Sequence, residues 1–207
     1  MVATAPADSP RRDELLERAY RYVLEHGVAD LSLRPLATAI KSSPRVLLFL
    51  FGSKTALVLA LLARAREDEL DLLDCVRSSS GDSDLAAVAS ELWRWLAADE
   101  HRTLLTLWVE GYSRSLLDPE GPWGGFARAS VGDWLTVLAD AQPQRLRRSA
   151  AAEAERTLVL AVLRGALLDL LATGDLERTT NAVTQQLAVL RHSSKPKITQ
   201  GPRANRR

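Results

Sequence analysis

The chain has 207 residues, 46% of them apolar and 26% charged, with a net charge of +1 and one cysteine, Cys75. That length suits one domain of moderate size or two small ones with a sizeable core, and a lone cysteine excludes an intrachain disulfide and fits a reducing compartment. With no apolar leader and no run near the ~18 apolar residues of a membrane span, a cytoplasmic protein without a membrane partner is expected.

Apolar residues recur at helical spacing and nowhere alternate with period two, so the fold class is all-α. A first helix is expected over Arg11–His26, with Leu16, Ala19, Tyr20, Val23 and Leu24 on one face and Gly27 ending it. Two short helices follow, Leu33–Ile40 and Pro44–Leu50. Ser32 is placed to cap the former, with Pro35 tolerated in its opening turn. Ser43 caps the latter, whose first position is Pro44. Gly52 closes it, and Ser53 caps the next helix. Helices of about two turns are unstable alone. Packed on the first helix through Leu36, Ile40, Leu47 and Phe51, they make a helix-turn-helix whose second helix enters a DNA major groove.

From Ser53 a long helix is expected to about Val76, apolar early at Leu57, Leu61 and Leu62 and acidic late at Glu67, Asp68, Glu69, Asp71 and Asp74. Ser78–Ser83 reads as a loop. Helical patterns then span 84–98, 100–117 and 126–141, with a breaker-rich connection from Asp118 to Gly125. Gln142-Pro143-Gln144 precedes a long helix reaching Ala172, and a last helix runs to Leu190. Residues 192–207 read as a disordered basic tail. Charge follows this division. Residues 1–56 carry eight Lys/Arg against six Asp/Glu, residues 57–191 carry 14 against 20, and the tail carries five basic residues and no acid. Basic ends around an acidic body orient the head toward a polyanion.

The ordered set Glu25-His26-Gly27, Ser32-Leu33-Arg34-Pro35-Leu36-Ala37, Ser43-Pro44-Arg45-Val46-Leu47 and Phe51-Gly52-Ser53-Lys54 resembles the N-terminal domain of TetR-type transcriptional repressors over roughly residues 11–65. Leu163-Arg164-Gly165-Ala166-Leu167-Leu168-Asp169-Leu170-Leu171-Ala172-Thr173-Gly174-Asp175 resembles the dimerisation helix of many members. The resemblance implies a helix-turn-helix DNA-binding domain at 10–56 and a helical effector-binding and dimerisation domain at 57–191. Two departures stand out. Members often carry Tyr-Tyr-His or Ile-Tyr-His where this chain has Leu48-Phe49-Leu50, and a glycine where it has Lys41. The missing polar groups bond phosphates in the family, so affinity is expected to fall by ~1 kcal/mol or more for each unreplaced contact, across all sequences.

As a recognition helix, Pro44–Leu50 offers Ser42, Ser43, Arg45, Val46 and Phe49 to DNA. Arg45 can bond both acceptors of guanine, worth ~1–3 kcal/mol of discrimination, and Val46 can meet a thymine methyl. Ser32, Arg34 and Lys54 sit at helix starts, placed for phosphates. In the body, Leu158–Ala172 is apolar around most of its circumference and must be covered on two sides. Leu163, Ala166, Leu167 and Leu170, with Val183, Leu187 and Leu190 of the last helix, are the expected homodimer contacts. Paired heads require a near-palindromic operator. All five tryptophans fall in the body. Trp93, Trp108, Glu110, Tyr112 and Trp134 are the candidate lining of a site for a small apolar or aromatic effector.

These features predict a ligand-responsive repressor released from double-stranded operator DNA by its effector. The alternative is a helical small-molecule-binding or interaction protein with the same fold and weakened DNA binding, favoured by Leu48-Phe49-Leu50. An enzyme is not expected. Gly52-Ser53-Lys54-Thr55 lacks the glycine spacing of a phosphate loop, His26, His101 and His192 lack metal-ligand spacing, and Cys75 has no base partner. No cofactor or metal is expected.

Overall fold

The computed structural model describes residues 9–28, 31–80 and 84–193, and every regular element among them is helical. The helices are α1 (Pro10–His26), α2 (Leu33–Ala39), α3 (Pro44–Phe51), α4 (Lys54–Ser80), α5 (Leu85–Leu96), α6 (Arg102–Leu117), α7 (Phe126–Asp140), α8 (Ala150–Thr173) and α9 (Leu176–Ser193), with a short 3₁₀ turn, Asp99–His101, before α6. No single helix among the described residues is long and apolar enough to cross a membrane.

Local chemistry sets most boundaries. Gly27 takes φ 76°, a conformation that ends α1 without strain. Ser43 Oγ accepts the Val46 N–H at 3.2 Å and Ser53 Oγ accepts the Ala56 N–H at 3.0 Å, so both cap as the sequence predicts. Ser32 does not, because its hydroxyl makes no cap bond. The seven-residue α2 is held instead by the burial of Leu36 and Ala37. The buried face of α1 centres on Leu15, Ala19, Tyr20 and Val23, one residue earlier than the Leu16 and Leu24 positions, which are half-buried.

Two boundaries move. Helix α4 runs on through Ser78–Ser80, expected as loop, while residues 81–83 lie outside the described residues. Helix α8 starts only at Ala150, where Ser149 Oγ accepts the Ala152 N–H at 3.2 Å. The basic tail lies outside the described residues from position 194.

The molecule has two apolar cores. One joins α1, α2, α3 and the first half of α4 around Leu15, Leu36, Leu47 and Leu57. The other joins α5 and α7–α9 with Leu72 and Leu73 of α4, around Leu92, Leu138 and Leu163. Leu107 of α6 and Trp123 of the following loop bury themselves in the first core, so the body is pegged into the head.

Candidate nucleic-acid interface and effector cavity

Helix α3 buries Leu47, Leu50 and Phe51 and exposes the rest. Arg45 and Phe49, four residues apart, form the ridge opposite Leu47, with Val46 and Leu48 on its flanks. Val46, Leu48 and Phe49 are 39%, 41% and 45% exposed. Leu50, expected in an exposed apolar triplet, is in the head core, since it follows Leu47 by one turn. Ser32, Arg34 and Lys54 are exposed at the starts of α2 and α4. Ser43 spends its hydroxyl on the α3 cap. Ser42 is half-exposed, but its Oγ is buried without a hydrogen-bond partner. The turn between α2 and α3 holds Lys41 at φ 55°, the conformation a glycine supplies at no steric cost. Around this surface the charge is one-sided. From Leu31 to Arg66 the chain has six Lys/Arg and no Asp/Glu.

A second feature lies inside the body. A cavity of about 30 Å³ is lined by α4, α5, α6, α7 and α8. Of the residues expected there, Trp108 and Trp134 line it. Tyr112 stands just outside, its ring 5.1 Å from that of Trp108. Trp93 and Glu110 are elsewhere. Trp93 turns toward α9, where its Nε1 donates to Thr180 Oγ1 at 3.1 Å. Glu110 Oε2 accepts the Val28 N–H at 3.1 Å at the head–body junction, and its Oε1 accepts from Arg114 Nε at 3.2 Å.

The polar groups that do line the cavity are Glu69 and Arg164. Glu69 is 6% exposed. Its Oε1 accepts from Trp134 Nε1 at 2.5 Å, Ser130 Oγ at 2.7 Å and Trp108 Nε1 at 3.2 Å. Its Oε2 has no hydrogen-bond partner, the Arg66 guanidinium standing 3.8 Å away. Arg164 lies over the rings of Trp108 and Tyr112, 5.3 and 5.0 Å from their centroids, and its Nη1 donates to Tyr112 Oη at 3.2 Å. Burial pulls this guanidinium below its usual range, offset in part by Tyr112 and Glu69. Its Nε is buried without a partner. The site therefore suits an aromatic or apolar body with a hydrogen-bonding group for Glu69 Oε2. Drug-sized ligands occupy ~300–1,000 Å³, so such a molecule enters only by parting these helices.

The expected dimer contacts also need correction. Leu163, Leu167, Leu170, Val183, Leu187 and Leu190 are all buried in the body's own core, and Ala166 packs against it. The outward stripe of α8 is Leu158, Ala161, Gly165, Leu168 and Ala172, repeating at intervals of three and four. Leu168 is 50% exposed, and Val189 on α9 is 55% exposed.

No protein-family model matches the chain. It is 31% identical over 189 residues to the HTH-type transcriptional repressor AcnR of Corynebacterium efficiens, covering 90% of this chain and 92% of that protein. Its fold is that of a TetR transcription regulator from Haloarcula marismortui, with a TM-score of 0.69 and 20% identity over 88% of this chain and 98% of that one. The multidrug binding protein EbrR, solved with imidazole, is 26% identical with a TM-score of 0.59, covering 86% of this chain and 90% of that one.

Proposed function

The chain belongs to the TetR family of transcriptional regulators, and on that premise we propose that it is a ligand-responsive repressor. Two copies bind a near-palindromic operator through α3, and a small apolar or aromatic effector in the body cavity releases them. The observation that carries this reading is that one helix serves both sites. Helix α4 starts beside α3 at Lys54 and supplies Leu62, Ala65, Glu69 and Leu72 to the cavity wall. Because that cavity is far smaller than a drug-sized ligand, an effector that fills it parts the lining helices, α4 among them. An effector favouring the displaced arrangement shifts the population away from the DNA-bound one, by no more than its differential affinity.

Arg45 is the guanine reader in this scheme, and Arg34 and Lys54 bind phosphates. The test is a gel shift on fragments selected from random duplexes. Arg45→Ala is expected to lose about 1–3 kcal/mol of preference for the selected sequence. Lys54→Ala is expected to weaken all sequences alike and flatten the salt dependence. Unchanged sequence preference in Arg45→Ala would remove Arg45 from base readout. The second reading, a helical binding protein with weakened operator affinity, draws on the exposed Leu48 and Phe49 and gains if no sequence is enriched at low salt.

A further inference from the structure

The ridge of α3 presents one hydrogen-bonding side chain and three that have none. Arg45 can read donors and acceptors in a groove, whereas Val46, Leu48 and Phe49 cannot, yet all three are held in the open by the burial of Leu47, Leu50 and Phe51 beneath them. Open apolar surface on a small head needs a partner. The surroundings define its charge. With no acid between Leu31 and Arg66, and with Arg34, Arg45 and Lys54 exposed around the helix, the patch is set in a field that attracts a polyanion. The apolar group that duplex DNA displays in its major groove is the 5-methyl of thymine.

Resting on the operator reading above, we propose that α3 selects its site chiefly by thymine methyl groups, with Phe49 and Val46 seated on them and Arg45 adding a single guanine contact. Phe49 follows Arg45 by one helical turn, about 6 Å along the axis, which matches roughly two base-pair steps. Each half-site should therefore hold thymine within about two steps of the guanine that Arg45 reads. The phenylalanine at position 49 is then a means of reading a methyl-rich sequence rather than a lost phosphate contact.

The experiment replaces thymine by deoxyuridine, which removes only the methyl, at each position of a duplex selected by the full-length protein. A contacted methyl should be worth about fourfold in Kd, the expected effect of one buried methyl-sized group. Uracil outside the half-sites should change nothing. Phe49→Ala should abolish the thymine-to-uracil ratio at its own position while leaving the preference for guanine, with circular dichroism confirming the fold. Sequence-selective binding with equal affinity for thymine and uracil duplexes overturns this inference and leaves the operator reading standing. Failure to enrich any sequence overturns both.

Discussion

Glu69 shows how much a single buried carboxylate can organise. One of its oxygens gathers two indole N–H groups and a serine hydroxyl from α6 and α7, while the other is left without a hydrogen bond in an apolar chamber. Gln at this position keeps one acceptor, so Glu69→Gln is expected to lose about 1–3 kcal/mol in urea unfolding. Glu69→Leu is expected to lose more, since Trp134 Nε1 and the Ser130 hydroxyl then lose their acceptor, while Trp108 Nε1 keeps Ser130 Oγ at 3.1 Å. A leucine variant as stable as the parent would mean that charge burial already offsets those bonds. Composition hides this residue, because it sits in the acidic run Glu67–Asp74, where Glu67, Asp71 and Asp74 are exposed. Its register gives it away: Leu62, Ala65, Glu69 and Leu72 fall at intervals of three, four and three, all on the cavity wall. Arg164 is legible in the same way, being the one cation in the apolar span Leu158–Ala172. Trp93 and Glu110 mislead for the converse reason. Aromatic content places a residue in the body but not on a particular face.

At the scale of elements, the sequence announces that α8 is apolar all round and withholds which side meets which neighbour. Both stripes are apolar, and only packing against α5 and α9 commits Leu163, Leu167 and Leu170 to the inside. The short helix α3 is legible almost to the residue, because its limits are written in Ser43, Pro44 and Gly52 rather than in periodicity, and Ser53 marks the start of α4 in the same way. The outward stripe of α8, with Gly165 allowing close approach and Leu158 and Leu168 exposed, is the surface we propose for a second copy. Leu168→Glu is expected to give a monomer in sedimentation while changing the monomer's own unfolding energy by no more than about 0.5 kcal/mol, since that side chain lies outside the core. Leu163→Ala should do the opposite, lowering stability by about 2–5 kcal/mol through a core cavity. A Leu168→Glu protein that still sediments as a dimer would place the interface on another face.

Over the whole molecule, the head is tied to the body at points that converge on the cavity helices. Helix α4 is about 40 Å long at the usual rise, and Tyr20 Oη donates to its Asp68 Oδ2 at 2.8 Å, fixing α1 against it. Burial and the Asp68 carboxylate push the Tyr20 phenol far above its usual range, so the hydroxyl keeps its proton and remains a donor. At the other end of α1, the Val28 N–H reaches Glu110 of α6, two residues after the cavity-lining Trp108. Glu110 thereby ties α6 to the segment that follows α1, within two positions of the cavity wall. Glu110→Ala strands the Val28 N–H and releases Arg114, which also lies over Trp123 at 5.9 Å. Hydrogen exchange at the Val28 amide should accelerate, and operator affinity should fall about five- to tenfold as the head loses its fixed orientation, the equivalent of one ordinary hydrogen bond of about 1 kcal/mol. The preference between bases should stay as it was, because α3 itself is untouched. Unaltered protection at Val28 would mean that Leu107 and Trp123, lodged in the head core, hold the junction by packing alone.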